Sequence, residues 1–341
     1  MSHLDEAEDR IASLVDAADL DGLIRLVDSL CSSRDWASVL RTRDACRSAT
    51  RTGRQVWPIA TLCEYRLALH APAEWACRVV DDEASRFSIG PLTEVIAQSH
   101  TWAELRDLLP FGPQRELVAH ERIIRGDRVD NDEVSGAVLD IPTDLLDWEP
   151  QYPLATYSDN GIRADAPYDN WIHDWFDISA ADDPITEVDD DETDSALRSL
   201  VEPWTSASTG RARCIVVEGG LATLVAALGR QSVRASVLTP HQALQWLAWC
   251  GASAGSHGRR RGAAAGRFNT WWMASALAGL SSDWDDLRPT YELPRELGRK
   301  VGHFEWFRLD LEERHSYELS LAAIDHEEKI VFGLFAHDDP M

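Results

Sequence analysis

The spacing of apolar residues differs between the two ends of this chain, and that difference restricts the fold more than any other feature. Over residues 1–126 apolar side chains recur at helical spacing, as Leu23 and Leu26 do, and prolines stand where helices would begin. Near the C-terminus Phe307 and Leu309 alternate with charged residues, which is typical of a half-exposed strand. We therefore predict an α+β protein: an all-helical, solenoid-like N-terminal domain, then a domain of helices and an antiparallel β-meander.

Further strands and helices are predicted in the C-terminal part. Short apolar runs bounded by glycine or turn residues predict strands. Thr239 before Pro240 predicts a helix start, because threonine caps a helix and proline is tolerated in its first turn. The predicted strands are 213–217, 233–238, 317–324 and 329–335, and the predicted helices are 219–229, 239–250 and 267–280.

Charge is distributed unevenly along the chain. The net charge is −25, of which residues 127–204 carry −19, whereas residues 205–280 carry +7. Prolines and acidic residues crowd the acidic stretch, but its aromatic residues indicate that part of it packs onto a domain. We predict a helical domain over 1–126, an acidic irregular segment with a mobile linker near 179–196, and an α+β domain over 205–341.

Composition and cysteine usage exclude several classes of protein. The chain has no apolar run of 18 residues, so we predict no membrane span, and its acidic N-terminus predicts no signal peptide. Six dispersed cysteines without a Cys-x-x-Cys pair favour reduced thiols and a cytoplasmic location. The negative net charge disfavours nucleic acid as a partner, because backbone neutralisation needs a basic face.

The most distinctive stretch is residues 251–267, in which five glycines and four arginines separate two predicted helices. Glycines let backbone N–H groups converge, a helix N-terminus favours an anion, and arginine donates in pairs to phosphate or carboxylate. A small anion is therefore one candidate ligand. The residues that would bind it are His257, Arg259, Arg260, Arg261 and Arg267. In the structural alternative, small residues let the helices cross closely and the arginines bind the acidic segment.

A second set of arginines falls on one face of the third predicted helix. Spacings of 4, 4 and 3 residues place them in a row. The residues are Arg43, Arg47, Arg51 and Arg54. The row is either a solvated helix face or a docking stripe for an acidic protein partner.

Sequence templates for catalysis and metal binding are absent. The eleven histidines form no His-Glu-x-x-His pair, and no cysteine–histidine cluster has zinc spacing. No Gly-x-Ser-x-Gly nucleophile motif occurs either. We therefore predict no catalytic residues, no metal and no cofactor.

The glycine- and arginine-rich loop and the helix after it resemble an uncharacterised family of bacterial proteins, a domain of unknown function. The resemblance rests on Ala254–Gly258, on Gly262–Phe268 and on Trp271. The family shares a Gly/Ala-Gly-Arg loop followed by a Trp-containing helix, although this chain has Ala265 where the family often has an aromatic residue. The resemblance implies that this loop–helix unit recurs, and it assigns no catalytic residue.

Two functions remain open from the sequence. The leading hypothesis is a non-enzymatic, cytoplasmic interaction or scaffold protein with a helical surface for a protein partner, because no catalytic template is present. The alternative is an enzyme or binding module that acts on a phosphorylated or carboxylated small molecule at the loop 251–267. A deep pocket at the loop would favour the alternative, and burial of the loop under acidic residues would favour the scaffold.

Overall fold

A computed structural model describes residues 3–80, 90–282, 284, 292–312 and 314–340. Contacts between residues group the chain into two units. The helical unit comprises Met1–Val138 and Thr156–Arg163, and the α+β unit comprises Leu139–Ala155 and Ala164–Met341. The acidic segment is thus divided between the units, whereas the sequence treats it as one block. The α+β class itself is confirmed.

The starts of the helices in the helical unit follow from capping residues and prolines. The helices are α1 (His3–Ala17), α2 (Leu20–Ser32), α3 (Trp36–Arg51), α4 (Trp57–His70), α5 (Ala73–Ala76), α6 (Leu92–Ser99), α7 (Trp102–Leu105) and α8 (Pro113–Ile124). Asp19 and Asp35 cap α2 and α3, where their carboxylates accept N–H hydrogen bonds at 2.9 and 3.1 Å. Proline lies in the first turn of α4 and α8, where its missing N–H leaves no hydrogen bond unmade.

A short β-hairpin completes the helical unit. Strand β1 (Thr156–Ser158) pairs antiparallel with β2 (Gly161–Arg163). The Tyr157 hydroxyl donates to Oε2 of buried Glu94 at 2.5 Å, and the Tyr157 N–H donates to Oε1 of Gln98 at 2.7 Å. These two hydrogen bonds attach the hairpin to α6.

The α+β unit is built on one antiparallel sheet of six strands, in the order β3-β5-β6-β7-β8-β4. The strands are β3 (Phe176–Ser179), β4 (Arg211–Glu218), β5 (Ser232–Leu238), β6 (Glu305–Asp310), β7 (Tyr317–Asp325) and β8 (Ile330–Asp338). The predicted meander is confirmed, because β6, β7 and β8 are neighbours in the sheet and in sequence. Strand β3 is an addition to the sequence prediction.

Helices cover both faces of the sheet. They are α9 (Asp191–Leu200), α10 (Glu202–Ser206), α11 (Leu221–Ala227), α12 (Pro240–Ala252), α13 (Ala263–Leu277) and α14 (Glu292–His303). Phe307 belongs to the apolar cluster under α11, whereas Arg308, the next residue of β6, faces the Trp246 ring of α12. None of the helices in the described ranges combines the length and the apolar character needed to cross a membrane.

Helix α9 begins within residues 179–196, which the sequence predicts to be a mobile linker, and extends beyond them to Leu200. The Asp190 carboxylate accepts hydrogen bonds from the Thr193 N–H at 2.9 Å and from its hydroxyl at 2.6 Å. Acidic residues in the first turn favour a helix start, because they face the positive end of its dipole. Ala196, Leu197 and Leu200 are buried, so the acidic run begins an amphipathic helix.

Helices α12 and α13 cross closely because small residues lie at their contact. A Cβ atom on Gly266 of α13 would lie 2.5 Å from the main-chain oxygen of Ala248 on α12. A Cβ atom on Gly251 would lie 3.3 Å from the Cα atom of Gly266. The glycines of the loop region therefore let the two helix backbones approach each other.

Substituting Gly266→Ala should destabilise the protein, because the added methyl group overlaps a backbone oxygen. We expect the free energy of unfolding to fall by about 1–3 kcal/mol in a denaturant titration. Gly302→Ala on α14 is the matched control, since its Cβ would meet no atom within 4 Å. The control should leave stability unchanged or raise it by up to about 1 kcal/mol. Equal effects of the two substitutions would contradict the close crossing.

Candidate functional site

Arg267, one of the predicted anion-binding residues, is fully buried and paired with Glu149. Its Nε and Nη2 atoms donate to the two carboxylate oxygens of Glu149 at 2.7 and 2.8 Å. It also donates to the main-chain oxygens of Pro142 and Asp144, each at 2.9 Å. The Trp271 indole donates to Oε2 of the same carboxylate at 3.0 Å. The guanidinium thus binds an acidic residue of the segment 127–204, which is the contact that the structural alternative describes.

Arg261, the second loop arginine with a defined partner, closes the C-terminal end of α9. Its Nε donates to the main-chain oxygen of Gly251 at 2.9 Å, and its Nη atoms donate to those of Ser199, at 3.0 Å, and Leu200. The last carbonyl groups of a helix lack donors within the helix, so the guanidinium satisfies two of them. Burial lowers the pKa of Arg261 to about 10.

The other predicted loop residues differ in exposure. His257 and Arg259 are exposed, whereas Arg260 is buried. The Ser256 N–H donates to Oδ2 of Asp338 at 2.6 Å, so an internal carboxylate already lies against the loop backbone. A free anion at this loop stays a prediction.

The four arginines of the predicted docking stripe divide into two pairs. Arg43 is buried and pairs with Asp44 at 2.9 Å, and Arg47 donates to buried Glu64 at 2.6 Å. The other two, Arg51 and Arg54, are exposed, and Arg54 lies 3.1 Å from a carboxylate oxygen of Asp16. Docking of an acidic partner stays a prediction, with Arg51 and Arg54 as its exposed members.

The α+β unit contains an open cleft of about 700 Å³ beside β6 and β7. Aromatic rings line it together with charged residues of both signs. The lining side chains include Tyr168, Asp169, Trp171, His173, Trp249, Arg308, Arg314, Tyr317 and Glu318. A volume of this size is typical of small-molecule sites.

Arg308 of β6 lies at the cleft within a set of aromatic rings. Only 8% of the residue is exposed. Its guanidinium carbon lies 4.6 Å from the ring centre of Tyr168, 5.2 Å from that of Trp246 and 5.8 Å from that of Trp175. These faces attract the cation through their negative ring electrons. Burial lowers the pKa of Arg308 from its ordinary value.

The buried Arg308 lacks an acidic partner inside the described ranges. There, no carboxylate oxygen lies within 4.0 Å of its guanidinium nitrogens. Asp310, two residues further along β6, pairs with Arg234 of β5. Arg267 in the same unit, by contrast, has the full carboxylate of Glu149. The charge of Glu318 opposes the effect of burial on the pKa of Arg308, but without contact. A buried cation without an anion in direct contact is costly, and an anionic ligand would remove part of that cost.

His173 holds Arg308 in place as a neutral imidazole. Nη1 of Arg308 donates to Nε2 of His173 at 2.8 Å, so that nitrogen carries no proton. The proton on Nδ1 is then donated to Oγ of Ser236 at 3.3 Å. Burial and the Arg308 charge both lower the pKa of His173, which favours this neutral form.

Charged residues of both signs stand around the cleft. Arg314 and Asp169 are exposed, whereas Glu318 of β7 is half-buried. Burial raises the pKa of Glu318, although the charge of Arg308 opposes the change. Among the described histidine, cysteine and acidic side chains, no group of three or more is arranged to hold a metal ion.

Sequence reasoning missed Arg308 because alternation places it on the solvent side of its strand. In the structure α12 and the chain around Tyr168 cover that face of β6. The concentration of aromatic residues over 148–176 is the signal that could have found the site. It predicts packing onto a domain, but it does not show which strand those residues cover.

Removing the charge of Glu149 should strongly destabilise the α+β unit, because Arg267 would be left buried without an anion. We expect Glu149→Gln to lower the free energy of unfolding by about 3–5 kcal/mol in a denaturant titration. Glu296→Gln, which removes an exposed pair with Arg299 at 2.8 Å, is the control and should change little. Equal stability of the two variants would refute the importance of the buried pair.

The same pair should make stability sensitive to acid. Burial alone would raise the pKa of Glu149, but the charge and hydrogen bonds of Arg267 hold it below the ordinary value of 4.5. A depressed carboxyl pKa stabilises the folded state above the ordinary value, and this stabilisation is lost as pH falls through the folded value. Glu149→Gln should therefore lose less stability than the wild type on acidification below about pH 4.5.

Comparison with known families shows a match over most of the chain. A family model described as "Family of unknown function (DUF6183)" matches residues 21–340. Among curated proteins and among solved structures, no match to the chain is found.

Proposed function

The chain belongs to this family of unknown function, and because the family carries no assigned activity we propose a function from the cleft. We propose that the protein binds a small carboxylate- or phosphate-bearing ligand at Arg308. The ligand class is that of the second sequence hypothesis, but the site is a different one, because that hypothesis places the anion at the loop 251–267. The observation that carries the proposal is the buried Arg308 without a carboxylate partner in the described ranges.

The contrast between two buried arginines supports this assignment. Arg267 is held by Glu149 and by main-chain oxygens, so its charge is balanced within the fold. Arg308 has one hydrogen-bonding neighbour, His173, within the described part of the chain, and that neighbour is neutral. A guanidinium donates two parallel hydrogen bonds to a carboxylate or phosphate, so a ligand with two anionic oxygens would complete Arg308.

The walls of the cleft favour a ligand that also has a flat apolar part. Trp249 and Tyr317 stack with their ring centres 5.7 Å apart and their planes at 17°. Tyr168 and Trp171 supply further ring surface at the same cleft. Aromatic walls with a few polar groups are the usual composition of a site that orients a small organic molecule.

The geometry supports binding rather than catalysis by His173. Both of its ring nitrogens are engaged, one with Arg308 and one with Ser236. A histidine so placed orients the guanidinium and has no nitrogen directed at a ligand. We therefore keep a non-enzymatic role as the proposal, with a small molecule bound in the α+β unit and a protein partner on the helical unit.

We also propose a cytoplasmic location, which rests on the cysteines. All six thiols are free. Burial raises the pKa of Cys46 to about 12 and that of Cys77 to about 11, so these thiols stay protonated and unreactive. Buried thiols of this kind suit a reducing compartment.

Substituting Arg308→Met should strongly weaken anion binding, because methionine keeps the apolar stem among the rings and removes the donors. In isothermal titration calorimetry with 3-phenylpropanoate we expect the affinity to fall by roughly tenfold to a hundredfold, since hydrogen bonds to charged groups contribute about 1.5–3 kcal/mol. The ligand should also raise the melting temperature of the wild type. Arg211→Met, exposed on the edge strand β4, is the matched control and should bind like the wild type.

A second substitution tests the proposal even if Arg308→Met fails to fold. Arg314→Ala at the exposed rim cannot disturb the core, and it should weaken the same binding by a smaller factor. Binding of 3-phenylpropanoate that is equal in wild type and Arg308→Met would overturn the proposal. So would the absence of any melting shift in the wild type at millimolar ligand.

A further inference from the structure

Two opposite charges face the same cleft without touching each other. Arg308 lies on β6 and Glu318 on the neighbouring strand β7. Within the described residues the Glu318 carboxylate accepts no hydrogen bond and forms no ion pair within 4.0 Å. The main-chain oxygen of Glu318 accepts the Trp246 indole N–H at 2.9 Å.

Folded proteins usually pair half-buried charges or leave them in water. A direct contact between Glu318 and Arg308 would neutralise both, yet they stay more than 4.0 Å apart. At such separations their attraction is reduced, so each charge keeps capacity for a closer partner. The partner that fits both at once is a molecule with an anionic group and a cationic group.

We infer that the cleft recognises a small zwitterion with an aromatic or other flat apolar side chain, the chemistry of an aromatic α-amino acid. Its carboxylate would bind Arg308, its protonated amine would bind Glu318, and its ring would lie against Trp171. This inference rests on the proposed anion site and adds the second charge and the side-chain class.

The electrostatic surroundings of Glu318 agree with a cationic partner. Burial raises the pKa of its carboxyl group, and the charges of Arg308, His315 and Arg314 oppose that change only in part. A ligand ammonium group beside the carboxylate would favour its ionised form and donate hydrogen bonds to it. Asp169 also lines the cleft, but it is exposed, so water already solvates it.

Three probes that share one side chain distinguish the contribution of the ligand's carboxylate from that of its amine. They are L-phenylalanine, N-acetyl-L-phenylalanine, which lacks the cation, and L-phenylalaninamide, which lacks the anion. Titration calorimetry on the full chain should show L-phenylalanine binding at least about tenfold more tightly than either blocked compound. N-acetyl-L-phenylalanine should still bind and should depend on Arg308.

The isosteric variant Glu318→Gln should remove the preference for the free amine. We expect L-phenylalanine to bind this variant about tenfold more weakly, while the affinity for N-acetyl-L-phenylalanine stays within about twofold. Asp169→Asn is the matched control, because it removes another acidic charge of the same cleft. It should leave the affinities for L-phenylalanine and N-acetyl-L-phenylalanine unchanged. If the preference for L-phenylalanine over N-acetyl-L-phenylalanine is lost in Asp169→Asn and kept in Glu318→Gln, the assignment of Glu318 is overturned.

The outcomes distinguish this inference from the proposed function. If N-acetyl-L-phenylalanine and L-phenylalanine bind the wild type equally, the anion site stands and the zwitterion inference is refuted. If none of the three probes nor 3-phenylpropanoate binds, the proposed function itself is refuted. If Glu318→Gln weakens the binding of L-phenylalanine and of N-acetyl-L-phenylalanine by the same factor, Glu318 only shapes the cleft, and the inference fails. The comparison among probes on the wild type decides the matter even if the variant does not fold.

Discussion

The ion pair between Arg267 and Glu149 is the interaction on which the α+β unit depends. It joins α13 to the chain segment Leu139–Ala155, and the Tyr152 hydroxyl and the Trp271 indole donate to the same carboxylate. Because α13 is fixed there, and because glycines bring α12 against it, the position of α12 follows. Helix α12 carries Trp246 and Trp249. The positions of these rings at the cleft therefore depend on the Arg267–Glu149 ion pair, which does not itself line the cleft.

One unit thus holds two buried arginines by different physical means. A carboxylate stabilises Arg267 by Coulomb attraction and by hydrogen bonds, which is the arrangement that a closed core requires. Ring faces and a neutral imidazole hold Arg308, and they compensate its charge only in part. This difference distinguishes a cation that a carboxylate of the fold neutralises from a cation that no carboxylate of the described residues contacts. Both residues are buried arginines, so only the partners of each guanidinium reveal the difference between them.

Local features of the fold were predictable from the sequence, and long-range contacts were not. Helical spacing and the alternation around Phe307 identify the N-terminal helices and the meander, because both depend on which face of one element is apolar. The start of α9 was not predicted, because the acidic run Asp189–Asp191 is typical of a linker. The helical spacing of Ala196 and Leu200 was the opposing signal. Pairing of Arg267 with Glu149 crosses 118 residues, and no spacing rule reaches that far. Arg308 was missed for the same reason: its covering helix is not adjacent in sequence.

The alternation of the chain between the two units has a consequence for synthesis on the ribosome. The helical unit needs the hairpin up to Arg163, yet the segment Leu139–Ala155 has then already emerged while its partner α13 has not been made. At 5–20 residues per second, Arg267 follows Glu149 by roughly 6–24 s. During that interval Glu149 belongs to a segment, Leu139–Ala155, with four acidic and no basic residues. The pair that joins α13 to Leu139–Ala155 can therefore form only after most of the α+β unit has been synthesised.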